Sequence, residues 1–175
     1  MTAPLQALID ALDHERLMLL AGVANLAPDR LTQPHGPGTW SVLEILEHLV
    51  LAEAAILQGL PPPEQLEARP RSLRQRLLFR VVLAILRFGI PVKVPSRRMV
   101  PTGRVPLTEL REQWDGHLRW LRAYAAGLEP EGADRAVFLH PVAGPLTLAQ
   151  ALRMDLLHLG VHARQIQKRL GPPGR

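Results

Sequence analysis

Two histidines four residues apart, His158 and His162, fall in a stretch whose apolar residues Leu148, Leu152, Leu159, Ile166 and Leu170 recur at helical spacing. At about 100° of rotation per residue, both imidazoles project into that same stripe, one turn above the other. Side chains so spaced stand about 6 Å apart at Cβ, close enough to converge on one metal ion. Asp155 shares the face. Burying three polar groups is costly unless a metal, a hydrogen-bond network or water satisfies them. Seven histidines make such a pair a common coincidence, so a third donor matters. His48 lies at the edge of an upstream apolar helix face, one position before Leu49 and one turn from Glu44. Facing helices of a bundle commonly build metal sites in this way. The competing reading of all three is a set of hydrogen-bonded core histidines.

The elements that must position these side chains are helices. The chain has 175 residues, of which 47% are hydrophobic and 21% charged, a composition that fits one compact domain over residues 1–175. Apolar periodicity predicts helices over about 5–26, 41–61, 72–88, 107–128 and 147–170. Ser41 with Glu44, and Thr147 with Gln150, have the spacing of capping boxes. Pro28 and the cluster at 34–38 end the first helix, and Pro172 and Pro173 follow the last. Four prolines fragment 90–106 into a loop, and 129–145 reads as a second irregular connection with no competing strand pattern. The expected fold is therefore all-α, a four-helix bundle with one additional short helix in the middle connection.

There is no cysteine, which excludes disulfides, thiolate zinc sites and cysteine nucleophiles, so any metal must be held by nitrogen or oxygen. No basic, apolar and small-residue succession at the start suggests export, and the expected compartment is the cytoplasm. The most apolar run, 77–88, is interrupted by Arg80 and Arg87 and is shorter than the ~20 residues a membrane span needs, so no membrane partner is expected. Charge is uneven along the chain. Residues 68–108 carry ten basic groups and no acidic one, whereas the remainder has a net charge of −5. Such a segment suits an anionic partner or is simply a solvated basic face. Its aromatics, Phe79 and Phe88, both read as buried, and no recognition motif accompanies them, which argues against nucleic acid.

Residues 38–49, from Gly38 through Trp40, Ser41 and Glu44 to His48 and Leu49, resemble the signature of the DinB-like (DinB/YfiT) family. His140, Pro141, Gly144, Pro145, Leu146 and Thr147, followed by His158, His162, Gln165 and Ile166, resemble its second block. The resemblance implies a four-helix bundle in which His48, His158 and His162 bind a divalent metal, zinc or nickel, at one end of a central pocket. Three imidazoles leave coordination positions open for water or substrate. Relatives that use a low-molecular-weight thiol imply a thiol transferase acting on an electrophilic small molecule. Others imply a metal-dependent hydrolase. A metal that merely joins helices, or a nucleic-acid-binding bundle, completes the alternatives, and homodimers are common in the family.

Arg97, Arg98 and Arg104 sit on the proline-rich connection, where they would bind carboxylates of a thiol or substrate if the loop covers the pocket. His117 and Tyr124 lie along the edge of their helix's apolar face, lining the pocket or packing between helices. Trp40 is expected to anchor the start of the second helix, Glu44 to complete its cap, and Trp120 to project from the core. Asp155 is expected to orient a histidine or to pair with an arginine.

Overall fold

The computed structural model describes residues 2–92, 96–129 and 132–171. Lys93 and Pro95 of the basic run, and Pro172 and Pro173 after the last helix, lie outside the described residues. Among the described residues six α-helices run in order: α1 (Ala3–Val23), α2 (Pro28–Thr32), α3 (Val42–Leu57), α4 (Leu73–Phe88), α5 (Leu107–Ala126) and α6 (Leu148–Leu170). A hairpin of β1 (Ala136–His140) and β2 (Gly144–Thr147) precedes α6.

Local chemistry explains the boundaries. Ser41 and Ser72 close capping boxes with Glu44 and Gln75, and Thr147 does so with Gln150, so each helix start has two backbone donors satisfied by side chains. Pro28 does not simply end the first helix. It opens α2, since a proline at the first helical position loses no hydrogen bond there.

The bundle is a ring. Helix α1 packs on α5 and α6, and α3 packs on the same two. Ile9, Ile45, Leu46, Leu121, Leu159 and Ile166 are fully enclosed between them. Helices α3 and α6 are antiparallel, since Arg169 near the end of α6 donates to the carbonyls of Trp40 and Ser41 at the start of α3. Arg16, buried on α1, is held by Asp13 and by Asp115 of α5. Helix α4 lies outside the ring against α6, its Phe79 set among Ala143, Leu146 and Met154. Among the described residues no helix is long and apolar enough to cross a membrane.

The hairpin corrects the expectation that no strand competes. Its strands pair Phe138 with Leu146, Leu139 with Pro145 and His140 with Gly144, with an irregularity after Ala136. At five and four residues they are too short to display a clear alternation, and Pro141 and Gly144 read as loop breakers. The His140 Nδ1 accepts the backbone N–H of Val142 at 3.1 Å and of Ala143 at 3.0 Å, which closes the turn. Gly144 holds φ at +73°, and a Cβ there would stand 2.5 Å from the Gln75 amide, the side chain that caps α4. Gly144→Ala is therefore expected to lose about 1–2 kcal/mol from the left-handed backbone alone, plus the displaced cap. Urea denaturation measures this, and an unchanged midpoint would refute the wedge between hairpin and α4.

Candidate metal centre

His48 comes from α3, and His158 and His162 come from consecutive turns of α6. The antiparallel seam brings the three rings face to edge, with centroids 4.7–5.3 Å apart. His158 Nε2 lies 3.1 Å from Nε2 of His162 and 3.4 Å from Nε2 of His48. Ligand atoms from all three residues lie within 4.8 Å of one another, and no other such group occurs among the described residues. At metal–nitrogen distances of about 2.0–2.1 Å, a tetrahedral ion separates its imidazole donors by roughly 3.3 Å, so the spacing fits one ion.

Two of the rings are aimed from behind. The Nδ1 of His48 lies 2.7 Å from the Met99 carbonyl, and Nδ1 of His162 lies 2.9 Å from Oε1 of Gln165. Both acceptors call for an Nδ1–H, which leaves the Nε2 lone pairs pointing inward. Burial keeps the rings neutral. It pushes His158 down to about 3, with help from the neighbouring His162 and His48, and His162 down to about 4. Burial also lowers His48, against the pull of its bond to Met99. Neutral imidazoles are what a divalent ion requires.

The loop that delivers Met99 is tied to α3 by one carboxylate. Glu47 Oε2 accepts the backbone N–H of Thr102 at 3.0 Å and of Gly103 at 2.7 Å, while Oε1 accepts the Thr102 hydroxyl at 2.9 Å. The Trp40 ring lies 4.8 Å from the His48 ring, so the residue expected to start the helix also walls the centre. Sequence reasoning passed over Glu47, the Met99 carbonyl and the role of Gln165. Two signals were present: Glu47 directly precedes His48, and Gln165 stands one turn beyond His162.

A second polar cluster lies one turn along the same seam. Glu53 of α3 accepts from Nε1 of Trp114 on α5, and the Nδ1 of His117 is 4.0 Å from its Oε2. Asp155 of α6 is buried near enough to Glu53 for the two carboxyl groups to act on each other, and no arginine forms an ion pair with it among the described residues. Burial raises Asp155 to about 7, and burial together with Asp155 raises Glu53. His117 is lowered by burial.

Of the residues expected to meet substrate, Arg97 and Arg98 immediately precede Met99, and Arg104 follows the segment held by Glu47; all three are exposed. Tyr124 donates to the Pro61 carbonyl at 2.8 Å, beyond the end of α3, and stacks on the exposed Trp120. That places it away from the histidines. A groove of about 700 Å³ lies between the hairpin and residues 59–69, and none of the three histidines lines it.

A family profile for the DinB superfamily matches residues 11–166. The crystal structure of TT2238, a four-helix bundle protein, superposes with a TM-score of 0.59 at 21% identity, covering 94% of this chain and 98% of that one. YfiT from Bacillus subtilis, described as a probable metal-dependent hydrolase with an unusual four-helix bundle topology, gives 0.55 at 19% identity, covering 97% and 90%. No curated protein matches the sequence.

Two outcomes follow from this geometry. Glu47→Ala frees the Met99 loop and should weaken zinc binding roughly 10–100-fold in a competition with a chromophoric chelator; an unchanged affinity would refute the loop's part in aiming His48. Asp155 ionises near 3.8 in the ordinary case and near 7 when folded, so between these values the unfolded chain holds fewer protons and stability falls as pH rises. Asp155→Asn should thus raise the melting temperature more near pH 8 than near pH 5. Equal shifts at both would show that the carboxyl is not held neutral.

Proposed function

Because this chain belongs to the DinB superfamily, its match extending over most of the sequence, we propose that His48, His158 and His162 form the metal site of an enzyme. The reaction is transfer of a low-molecular-weight thiol to an electrophilic small molecule. The observation that carries this reading is the convergence of three neutral Nε2 atoms with no fourth side-chain ligand among the described residues. An open shell of this kind belongs to reactive sites rather than to structural ones. A divalent ion, zinc or nickel, would supply Lewis acidity that lowers the pKa of a small thiol or water beside it.

The chain's own residues do the rest. Met99 and Gln165 hold the His48 and His162 rings in the orientation that presents Nε2, and Trp40 shields one side of His48 from water. The thiol comes from outside, since the chain has no cysteine. Its sulfur forms the new bond to the electrophilic carbon, while the thiol proton and the leaving group depart. Arg97, Arg98 and Arg104 are the proposed contacts for carboxylates of the thiol or substrate, exposed on the loop that carries Met99. His117, beside Glu53 in the polar cluster deeper in the seam, is a further proposed substrate contact.

A second reading, hydrolysis with water as the nucleophile, draws on the likeness to YfiT. One experiment separates them. Protein purified without chelator should carry near-stoichiometric zinc or nickel by plasma mass spectrometry, and His158→Ala combined with His162→Ala should abolish it. The loaded protein is then assayed against chromogenic electrophiles with and without a panel of thiols. Turnover that requires thiol supports transfer, and release without thiol supports hydrolysis. A wild type as empty of metal as the variant, even after incubation with metal, refutes both.

A further inference from the structure

Helix α4 is apolar on two sides. Phe79, with Val82, Leu83 and Leu86, turns inward onto the hairpin and α6. On the outer side Leu73 is 82% exposed, Leu77 62%, Val81 45% and Phe88 75%, and Ala84 is exposed between them. At 3.6 residues per turn these five positions fill an arc of about 80° along the whole helix. Exposed arginines bracket it, with Arg76, Arg80 and Arg87 along one edge and Arg74 along the other. Ile90 and Val92, just past the end of the helix, are exposed as well. Contiguous exposed apolar surface of this kind marks an interaction site.

Charge decides what covers it. A second copy docked about a two-fold axis would set these arginines against themselves, and residues 68–108 contain no acidic group to pair with them. Nucleic acid offers phosphates but no apolar surface for Leu73, Leu77 and Val81, and Phe88 is the segment's one exposed aromatic. An anionic bilayer meets both demands: arginine heads reach the phosphates while their stems and the apolar stripe enter the acyl boundary. We propose that the outer face of α4 docks the protein onto anionic lipid membranes, lying flat in the interface. The expectation of no membrane partner rested on span length, and a helix lying in the interface needs no span.

Sedimentation of the full chain with vesicles tests this, using phosphatidylcholine alone or mixed equally with phosphatidylglycerol. Binding is expected on the anionic vesicles, falling with salt, and absent on phosphatidylcholine. Arg74→Gln with Arg80→Gln should weaken it roughly thirtyfold, from about a factor of five per arginine. Leu77→Ser with Phe88→Ser, which leaves charge intact, should also reduce it. All four residues are exposed, and an unchanged melting temperature and metal content certify the folded state. The proposal is overturned by absent binding, by equal binding to neutral vesicles, or by full binding of the charge-preserving pair. It is equally overturned if light scattering finds a dimer that Leu77→Ser with Phe88→Ser converts to monomer, or if duplex DNA is bound more tightly than the anionic vesicles.

Discussion

Three unprotonated imidazoles aimed at one point inside a bundle repel one another through their lone pairs, and the surrounding structure must oppose that repulsion. For His48 and His162 the opposition comes from behind the rings. A backbone carbonyl and a glutamine each take one Nδ1–H, so neither ring can turn its lone pair away without losing a hydrogen bond. The rings are also fixed along the seam, because Arg169 binds the end of α6 to the start of α3. The capping boxes of both helices set where each begins.

This explains why a proline-rich connection matters to the interior. Residues 96–105 have little regular structure beyond one short 3-10 turn, yet they supply the acceptor for His48. Glu47 substitutes for the missing secondary structure: three hydrogen bonds to one carboxylate anchor the loop at Thr102 and Gly103. The deeper cluster of Glu53 and Asp155 adds a costly pair of buried carboxyl groups one turn along the seam. Polar groups of this cost persist in a core when something other than stability retains them.

Much of the arrangement was legible because its signals are local. Helical periodicity located the long helices, and Ser41 with Glu44 and Thr147 with Gln150 marked two starts within the chain itself. The three histidines were legible for the same reason, since two share one helix face and the third stands at a fixed distance from a capping box. What escaped depends on contacts distant in sequence. Nothing local says that Glu47 will reach Thr102, that Asp155 will be buried within electrostatic reach of Glu53, or that Tyr124 will find the Pro61 carbonyl. The hairpin escaped because its strands are short and bounded by proline and glycine. Phe88 was expected to be buried, yet α4 packs only on one side and leaves it in solvent.

Thr147 ends β2 and is also the residue whose hydroxyl caps α6. No linker separates strand from helix, so the hairpin acts as the clamp that sets the angular phase of α6. One inserted residue at this junction would turn the helix by about 100° or shift it along its axis, and either carries His158 and His162 off the seam. Length variation among descendants of this chain is therefore expected to concentrate in the stretches around Pro61 and Ile90, and to spare the strand-to-helix junction, where an indel would uncouple the two histidines from the third.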